Sequence, residues 1–404
     1  MHRAVRAIVV KLLLYSHFFA PGIGGVETIV LSLARGLAEL RASGGAAEFD
    51  VTVITQMPAG SFDDSALPFR TVRRPGLLQL WRLIRVADVL HIAGPALAPL
   101  ILSYLARRPV VLEHHGYQAI CPNGLLLFQP DRSACPGHFE PGRYLQCLRC
   151  NAQDASVLSS LRLLLLTFLR RALSRRVAAN LAISHHVLNR HRLPRSAVVY
   201  YGIEDPLQSA LPSMAAGRGA RELCFAYVGR FVVEKALPVL LEAADHLRKD
   251  GLSFEVRLIG DGPERANVEA LVRRRSLESV VHMTGFLSGD ALLASLQTVD
   301  VVIMPTIMEE TAGLAVIDQM MRGKLVIVSE IGGLGEVVGP AGLKFTPGDA
   351  EALAACMRRV IDRPALIEEL GAKARERAVR LFQRDCMISA HAQVYRSLFS
   401  AARR

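Results

Sequence analysis

The sequence predicts an α/β protein of two domains, each built on a doubly wound parallel sheet. Short apolar strands alternate with helical patterns, and this alternation occurs once in each half of the chain. A stretch rich in Ser, Ala, Gly and Pro at 206–219 separates the halves and is the predicted linker. At 404 residues the chain is also too long for one ordinary core. We therefore expect two cores.

The first predicted domain covers residues 1–205, with helices over 26–40 and 96–106. Residues 121–154 interrupt its alternation and are rich in Pro, Gly and Cys, which is typical of an insertion rather than of another strand and helix. The predicted strands are IVVKLLLYS, FDVTVITQ, FRTVRR, DVLHIAG and PVVLEHH.

The second predicted domain covers residues 220–375. Residues 376–404 form one or two terminal helices, and their pattern permits packing against the N-terminal domain. Ligands of open α/β sheets bind beyond the carboxyl ends of the strands, so we expect a cleft where the two sheets face each other. The predicted strands are CFAYVGR, FEVRLIG, VVHMTG, VDVVIMP and KLVIVS.

Composition limits the class of protein. Hydrophobic residues make up 51% of the chain, which excludes disorder, and no apolar run reaches the roughly 18 residues of a membrane span. The N-terminus resembles a secretory signal, but Lys11 interrupts the apolar run and no small-residue cleavage site follows, so a buried strand is the better interpretation. Seven cysteines, an odd number, argue against a secreted disulfide framework. We expect a cytoplasmic protein.

The positive charge lies in the first half, where 23 Lys and Arg face 13 Asp and Glu in residues 1–206. No nucleic-acid-binding motif accompanies the arginines, so the expected partner is an anionic membrane surface rather than nucleic acid. The segment 157–176, VLSSLRLLLLTFLRRALSRR, joins a leucine-rich face to arginines. It is either a core helix with a basic outer face or a helix lying on anionic lipid.

An anion site is predicted where the strand CFAYV ends at Gly229. Arg230 follows at once, and Lys235 stands at a helix start. Cations and a helix N-terminus at a sheet edge suit a phosphate or diphosphate, although both side chains could simply be solvated in a loop. Glycines at strand ends, here Gly260 and Gly285, allow a close backbone approach to a ligand but also occur in many ordinary turns.

The first domain offers similar candidates. Gly24 and Gly25 precede a helix and form a second possible anion cradle, without the full G-x-G-x-x-G dinucleotide pattern. His114 and His115 end a strand, and at most one of two adjacent side chains points into a cleft. A histidine there can hydrogen-bond a substrate hydroxyl.

Four cysteines, Cys121, Cys135, Cys147 and Cys150, fall within the insertion, and the last two form a C-x-x-C pair. Four thiolates can enclose zinc or hold an iron–sulfur cluster. Because the first two gaps are irregular, partly buried free thiols are the alternative.

Taken together, these segments resemble the retaining glycosyltransferase family four, which has the GT-B fold of two Rossmann-like domains facing a cleft. The resemblance covers some 300 residues in the family's order. It is carried by FFAPGIGGVETIVLSLARGL, LAISHHV, VVYYGIE, VGRFVVEKALPVLLEA, LIGDGPER and PTIMEETAGLAVIDQMMRGKLVIVS.

The resemblance implies the roles of the site residues. Arg230 and Lys235 would bind the donor diphosphate and stabilise the leaving group, Glu310 would contact the transferred sugar, and Asp318 would hold the ribose hydroxyls. His115 would lie near the reacting carbon. The other implied donor-binding positions are Gly24, Gly25, Gly229, Gly260, Gly285, Thr311, Ala312, Gly313 and Leu314.

Four positions depart from the family pattern. Thr311 and Ala312 replace the usual Gly-Phe, Ala236 replaces a glycine, and Asp318 replaces a glutamate. If the helix begins near Leu314, a carboxylate at 318 would also stabilise its first turn by about 0.3 to 1 kcal/mol without any ligand.

The implied function is transfer of a hexose-type sugar from a nucleoside diphosphate sugar to a glycan or lipid-linked acceptor. Retention of anomeric configuration, no catalytic cofactor and no divalent metal are implied with it. A similar insertion in some family members favours a structural metal on the four cysteines. The alternatives are a nucleotide-sugar epimerase of the same fold and a catalytically weak nucleotide- or glycan-binding protein.

Overall fold

The computed structural model describes residues 9–22, 24–42, 45–152, 156–207 and 221–402. Most of the predicted linker, from residue 208 onward, lies outside these ranges. The strands are β1 (Val10–Ser16), β2 (Phe49–Thr55), β3 (Arg70–Arg73), β4 (Val89–Ala93), β5 (Val110–His114), β6 (Leu127–Phe128), β7 (Ser133–Ala134), β8 (Ala179–Ala182), β9 (Ser196–Val198), β10 (Cys224–Val228), β11 (Glu255–Ile259), β12 (Val281–Gly285), β13 (Val301–Met304), β14 (Leu325–Ser329) and β15 (Leu343–Phe345).

The helices alternate with these strands. They are α1 (Gly25–Glu39), α2 (Leu77–Val86), α3 (Leu97–Leu105), α4 (Tyr144–Asn151), α5 (Val157–Ser174), α6 (His185–His191), α7 (Leu237–Lys249), α8 (Arg265–Arg274), α9 (Gly289–Gln297), α10 (Leu314–Met321), α11 (Leu334–Val338), α12 (Ala350–Asp362), α13 (Ala365–Leu381) and α14 (Arg384–Ala402). Two 3₁₀ turns cover Asp64–Ala66 and Val233–Lys235.

The contacts divide the chain into two compact units. The first comprises Met1–Leu125, Pro136–Glu204 and Phe382–Arg404, and the second comprises Leu126–Cys135 and Asp205–Leu381. The domain limits predicted from the sequence stay predictions. The last helix, α14, belongs to the first unit, where it packs on α1 and β4.

The first unit contains a seven-stranded sheet in the order β3-β2-β1-β4-β5-β8-β9, with parallel pairing throughout. Its central strands are buried along their length, as expected when helices cover both faces of a parallel sheet. The strand order reverses between β1 and β4, so this is where the unit has its topological switch point.

The second unit contains a six-stranded parallel sheet in the order β12-β11-β10-β13-β14-β15. Its order reverses between β10 and β13, which is the arrangement of a Rossmann sheet. The loops after these two strands therefore emerge side by side. A short antiparallel pair, β6 with β7, also belongs to this unit.

The two sheets confirm the predicted α/β class. Strand β10 shows why the strands form here: CFAYV is β-branched or aromatic at several positions and is buried at its first four residues. Within the described ranges, no helix combines the length and the hydropathy needed to cross a bilayer.

Candidate active site

The candidate site of the second unit lies at its switch point, in the loops after β10, β13 and β14. After β10 the chain passes Gly229 at φ +154° and then Arg230, whose side chain is exposed. The hydroxyl of Tyr227 donates a hydrogen bond to the Arg230 carbonyl at 2.7 Å. Burial, together with the charge of Glu310, raises the pKa of Tyr227, so this hydroxyl remains a neutral donor that fixes the start of the loop.

The predicted Gly260 and its near neighbour Gly262 have a structural reason that does not involve a ligand. A Cβ on Gly260, at φ +145°, would lie 1.9 Å from the Gly229 carbonyl oxygen. A Cβ on Gly262 would lie 2.4 Å from the Phe231 carbonyl oxygen. The loops after β10 and β11 touch through these backbones, so larger residues would force them apart. Gly285, at φ +76°, accepts a hydrogen bond from the Gly260 N–H at 2.9 Å and extends the contact to β12.

The structure brings Lys235 and Glu310 together. They follow different strands of the sheet, and the Lys235 ammonium forms an ion pair with Glu310 Oε1. The Glu310 residue is only 9% exposed. A carboxylate and an ammonium this close neutralise each other's charge and hold both side chains in fixed positions.

The loops after β10 and β13 are joined by hydrogen bonds to one shared acceptor. The Glu234 carbonyl accepts hydrogen bonds from Thr306 Oγ1 at 2.7 Å and from the Ile307 N–H at 3.0 Å. Ser329 Oγ, at the end of β14, donates to the Thr306 carbonyl at 2.6 Å. These polar residues are buried at the sheet edge, and sequence reasoning missed them because isolated Thr and Ser residues carry no spacing signal.

The backbone of Glu310 rests on the loop after β14. The Gly333 N–H donates to the Glu310 carbonyl at 2.6 Å. Gly332 has φ +62°, and a Cβ there would lie 2.4 Å from the Glu310 carbonyl oxygen and 2.5 Å from its nitrogen. The Gly-Gly pair two residues after a buried strand was a signal for this contact that the sequence reasoning did not use.

Helix α10 begins at Leu314, after Gly313 in a left-handed conformation. Leu334 packs closely here, because a Cβ on Gly313 would lie 2.3 Å from Leu334 Cδ2. Ala312 is buried, while Thr311 and Leu314 are partly exposed. The first N–H groups of a helix lack intrahelical partners, so the start of α10 is a place where an anion can accept hydrogen bonds.

Asp318 is the fifth residue of α10 and lies beyond its first turn. The expected stabilisation of the first turn by this carboxylate is therefore wrong, since the effect is confined to the helix end. Asp318 instead accepts hydrogen bonds from Arg322 Nε at 3.0 Å and from Gln319 Nε2 at 2.7 Å. Its side chain is 34% exposed, so it remains accessible to a ligand.

In the first unit, Gly24 is the N-cap of α1 and Gly25 its first residue. A Cβ on Gly24 would lie 2.4 Å from Glu27 Oε2. The carboxylate of Glu27 thus lies over the N-terminus of α1, the position where the sequence predicts an anion cradle.

His114 and His115 both have partners within the first unit. His114 Nε2 contacts Asn180 Oδ1 at 2.9 Å, and burial lowers the His114 pKa to about 4, so this ring is neutral. His115 Nδ1 contacts the Tyr201 hydroxyl at 2.6 Å and its Nε2 lies 3.1 Å from Glu113 Oε2. Burial alone raises the pKa of Glu113, but the charges of His115 and His391 outweigh it and hold that pKa well below its ordinary value.

The predicted metal-binding cysteines are buried. The Cys121 thiol donates to Asn123 Oδ1 at 2.9 Å, and Asn123 Nδ2 donates to Cys150 Sγ at 3.5 Å. Cys135 belongs to the second unit and Cys147 to the first. In the part of the chain that the structure describes, these thiols do not form a set of three or more ligand atoms within 4.8 Å of one another. The cysteine metal site stays a prediction.

Two parallel α/β sheets, with an ion pair and glycine-lined loops at one switch point, define a GT-B-type protein. The family profile described as "Glycosyl transferases group 1" matches residues 216–377. This match covers the second half of the chain and agrees with the resemblance found in the sequence.

Curated relatives match part of the chain. A 2-deoxystreptamine glucosyltransferase of Streptomyces kanamyceticus is 37% identical over 141 residues, covering 34% of this chain and 36% of the relative. The glycogen synthase of Mycobacterium tuberculosis is 31% identical over 171 residues, covering 42% of this chain and 41% of the relative. The chain thus spans about two fifths of the length of these relatives.

Solved structures share the whole fold. HepE of Anabaena, crystallised with UDP and glucose, superposes with a TM-score of 0.71 at 18% identity, covering 96% of this chain and 100% of HepE. A sucrose-phosphate synthase of Thermosynechococcus elongatus gives a TM-score of 0.71 at 21% identity, covering 97% of this chain and 100% of that structure. At these identities the likeness establishes the GT-B fold.

Proposed function

We propose that this protein transfers a hexose from a nucleoside diphosphate sugar to a glycan or lipid-linked acceptor, with retention of anomeric configuration and without a divalent metal. The observation that carries the proposal is the ion pair between Lys235 and Glu310 at the switch point of the second sheet. HepE was crystallised with UDP and glucose, and several relatives are named as sugar transferases, which supports a nucleotide-sugar donor. None of these is named as an epimerase.

In the proposed reaction, the bond between the anomeric carbon and the donor phosphate oxygen breaks while a bond from the acceptor oxygen forms. The acceptor hydroxyl proton passes to the departing phosphate. Arg230 and Lys235 stabilise the negative charge that develops on the phosphate, because cations positioned in advance need no reorganisation. Glu310 orients the sugar, and its pairing with Lys235 fixes the distance between sugar and phosphate.

The test replaces Glu310 by Gln, which keeps the shape of the side chain and removes its charge. We expect turnover to fall by roughly 100-fold, since loss of one preorganised electrostatic contact costs that much, while nucleoside diphosphate binding changes little. Release of nucleoside diphosphate in the presence of acceptor measures turnover, and calorimetry measures binding.

Glu309→Gln is the matched control, because it removes the same charge from the neighbouring, partly exposed residue. Equal loss of turnover in both variants would contradict the assignment of Glu310. Donor binding without transfer in the wild type would favour a binding protein, and donor conversion without acceptor would favour an epimerase.

We further propose that the first unit binds an anionic membrane on the inner face of the cell. Helices α2, α3 and α5 adjoin one another and contain no Asp or Glu. Exposed arginines, including Arg82, Arg85 and Arg162, lie on the same helices. The lipid-facing surface is defined by the exposed side chains of Leu77, Leu78, Val86, Ile101, Tyr104, Leu105, Val157, Leu158, Leu161, Leu165, Phe168 and Leu169.

A surface of this area and sign is typical of proteins that bind lipid rather than of an ordinary solvated face. We expect sedimentation with vesicles of phosphatidylglycerol and phosphatidylcholine at low salt, weakening as salt rises. Leu158→Glu combined with Leu165→Glu should abolish it. Leu293→Glu, at an exposed leucine of the second unit, is the control and should not. Equal sedimentation of all three proteins would contradict the proposal.

A further inference from the structure

A cluster of His91, Glu113 and His391 lies in the core of the first unit, where Glu113 Oε2 is also 3.1 Å from His115 Nε2. His91 is on β4, Glu113 on β5 and His391 on α14, and each side chain is at most 1% exposed. His91 Nε2 lies 3.3 Å from Glu113 Oε2, and His391 Nε2 lies 3.3 Å from Glu113 Oε1. The two imidazoles therefore approach different oxygens of one carboxylate.

These contacts do not have the geometry of hydrogen bonds. Within the described ranges, His91 Nε2, His391 Nε2 and both carboxylate oxygens of Glu113 have no hydrogen-bond partner. Buried polar atoms in proteins are almost always hydrogen-bonded or bound to a metal, and several unsatisfied atoms around one point need a physical reason.

The hydrogen bond of His391 Nδ1 determines which nitrogen of this ring faces Glu113. His391 Nδ1 lies 2.9 Å from the Met387 carbonyl oxygen, which can only accept, so Nδ1 carries the hydrogen. His391 Nε2 faces Glu113 Oε1 at 3.3 Å, and both atoms are buried without a hydrogen-bond partner among the described residues. A carboxylate in a dry core is stabilised by a positive charge close to it.

A metal ion supplies that charge at the observed spacing. Ligand atoms about 2.0 to 2.2 Å from a tetrahedral zinc are roughly 3.3 to 3.5 Å apart, and each imidazole nitrogen lies at such a distance from its nearer Glu113 oxygen. The ligand atoms of His91, Glu113 and His391 all lie within 4.8 Å of one another. In metal-binding histidines, the ring nitrogen that does not bind the metal is usually hydrogen-bonded to another group. Here His91 Nδ1 contacts the Tyr395 hydroxyl at 2.9 Å, and His391 Nδ1 is hydrogen-bonded to a backbone carbonyl.

We propose that His91, Glu113 and His391 hold one divalent transition-metal ion, with Zn²⁺ as the ion that best suits two imidazoles and a carboxylate. The ion joins α14 to the two central strands β4 and β5. It is a structural site, separate from the four cysteines, and does not depend on the proposed transfer reaction. Because the ligands come from both ends of the chain, the ion would link residues far apart in sequence.

The test measures metal in the full chain, freed of any histidine tag, expressed with added zinc and purified without chelator. We expect about one zinc per chain in the wild type, retained in Cys147→Ser/Cys150→Ser and lost in His391→Gln. His282→Gln, at an exposed histidine of the second unit, is the control and should retain the ion. EDTA should lower the unfolding temperature of the wild type and leave that of His391→Gln unchanged.

Cobalt substitution provides a second measurement should His391→Gln fail to fold. Cobalt bound by nitrogen and oxygen gives visible d–d bands without the near-ultraviolet charge-transfer band of a thiolate, and this spectrum in the cysteine double variant would support the proposal. Folded wild type without stoichiometric metal, or zinc lost from the cysteine variant and kept in His391→Gln, would overturn it.

Discussion

At the scale of single residues, the site depends on pairs that lie far apart in the sequence. Lys235 and Glu310 are 75 positions apart and meet because β10 and β13 are neighbours at the switch point. Lys235 was predicted from its position at a helix start, and the role of Glu310 was implied by the family resemblance. Their ion pair, and the support of Glu310 by Gly332, were not predicted, since no local pattern relates side chains of different loops.

Gly332→Ala tests that support. The new Cβ would overlap the Glu310 backbone in a left-handed conformation, so we expect Glu310 to be displaced and donor turnover to fall at least tenfold. Gly251→Ala is the matched control, because Gly251 has φ +76° with no atom within 4 Å of the added Cβ. It should cost about 1 kcal/mol of stability from its backbone strain and leave turnover unchanged. Equal turnover in the two variants would contradict this role of Gly332.

Asp318→Ala tests the ribose assignment. We expect nucleoside diphosphate binding to weaken by roughly 10- to 100-fold, since a hydrogen bond to a charged group contributes about 1.5 to 3 kcal/mol. Calorimetry on the wild type and variant measures the change. Arg322→Gln breaks the existing Asp318–Arg322 ion pair but keeps the carboxylate. If it weakens binding as much as Asp318→Ala does, Asp318 acts through the helix rather than on the ribose.

At the scale of elements, α14 packs on α1 at Gly36, which leaves room because it has no side chain. A Cβ on Gly36 would lie 2.0 Å from Ile388 Cδ1 and 2.7 Å from Ile388 Cγ1, and Ile388 is only 4% exposed. The helix pair therefore needs a small residue at this position, although glycine weakens the interior of α1.

Gly36→Ala should lower the free energy of unfolding by about 1 to 2 kcal/mol, because overpacking outweighs the gain of roughly 1 kcal/mol in helix propensity. Adding Ile388→Val removes Cδ1 and should restore part of that loss, which chemical denaturation can measure. Gly335→Ala, where the nearest atom is 3.5 Å from the added Cβ, should not destabilise. A stabilised Gly36→Ala protein would show that the helices separate without cost.

At the scale of the whole molecule, ligand binding should raise the free energy of unfolding. A nucleoside diphosphate at 100 times its dissociation constant adds about 2.7 kcal/mol, and a thermal-shift series with UDP, GDP and ADP would identify the base. We expect the Lys235→Ala variant to lose the shift, because its ammonium is proposed to bind the diphosphate. The absence of a shift with all three nucleotides would contradict the proposed donor class.

The sequence alone determined the α/β class and the positions of most strands and helices. It also placed Arg230 after a strand and Lys235 at a helix start, because apolar runs, helical periodicity and glycine turns are local signals. The resemblance to the retaining glycosyltransferase family four came from the order of those motifs.

The tertiary structure decided what depends on strand order and side-chain packing. It showed that Lys235 pairs with Glu310, that Gly260 accommodates a neighbouring backbone, and that Asp318 lies beyond the first turn of α10. It also brought His391 to Glu113 across 278 positions of the chain. Such contacts form between elements that are distant in sequence, and their energies come from burial and geometry that no short segment contains.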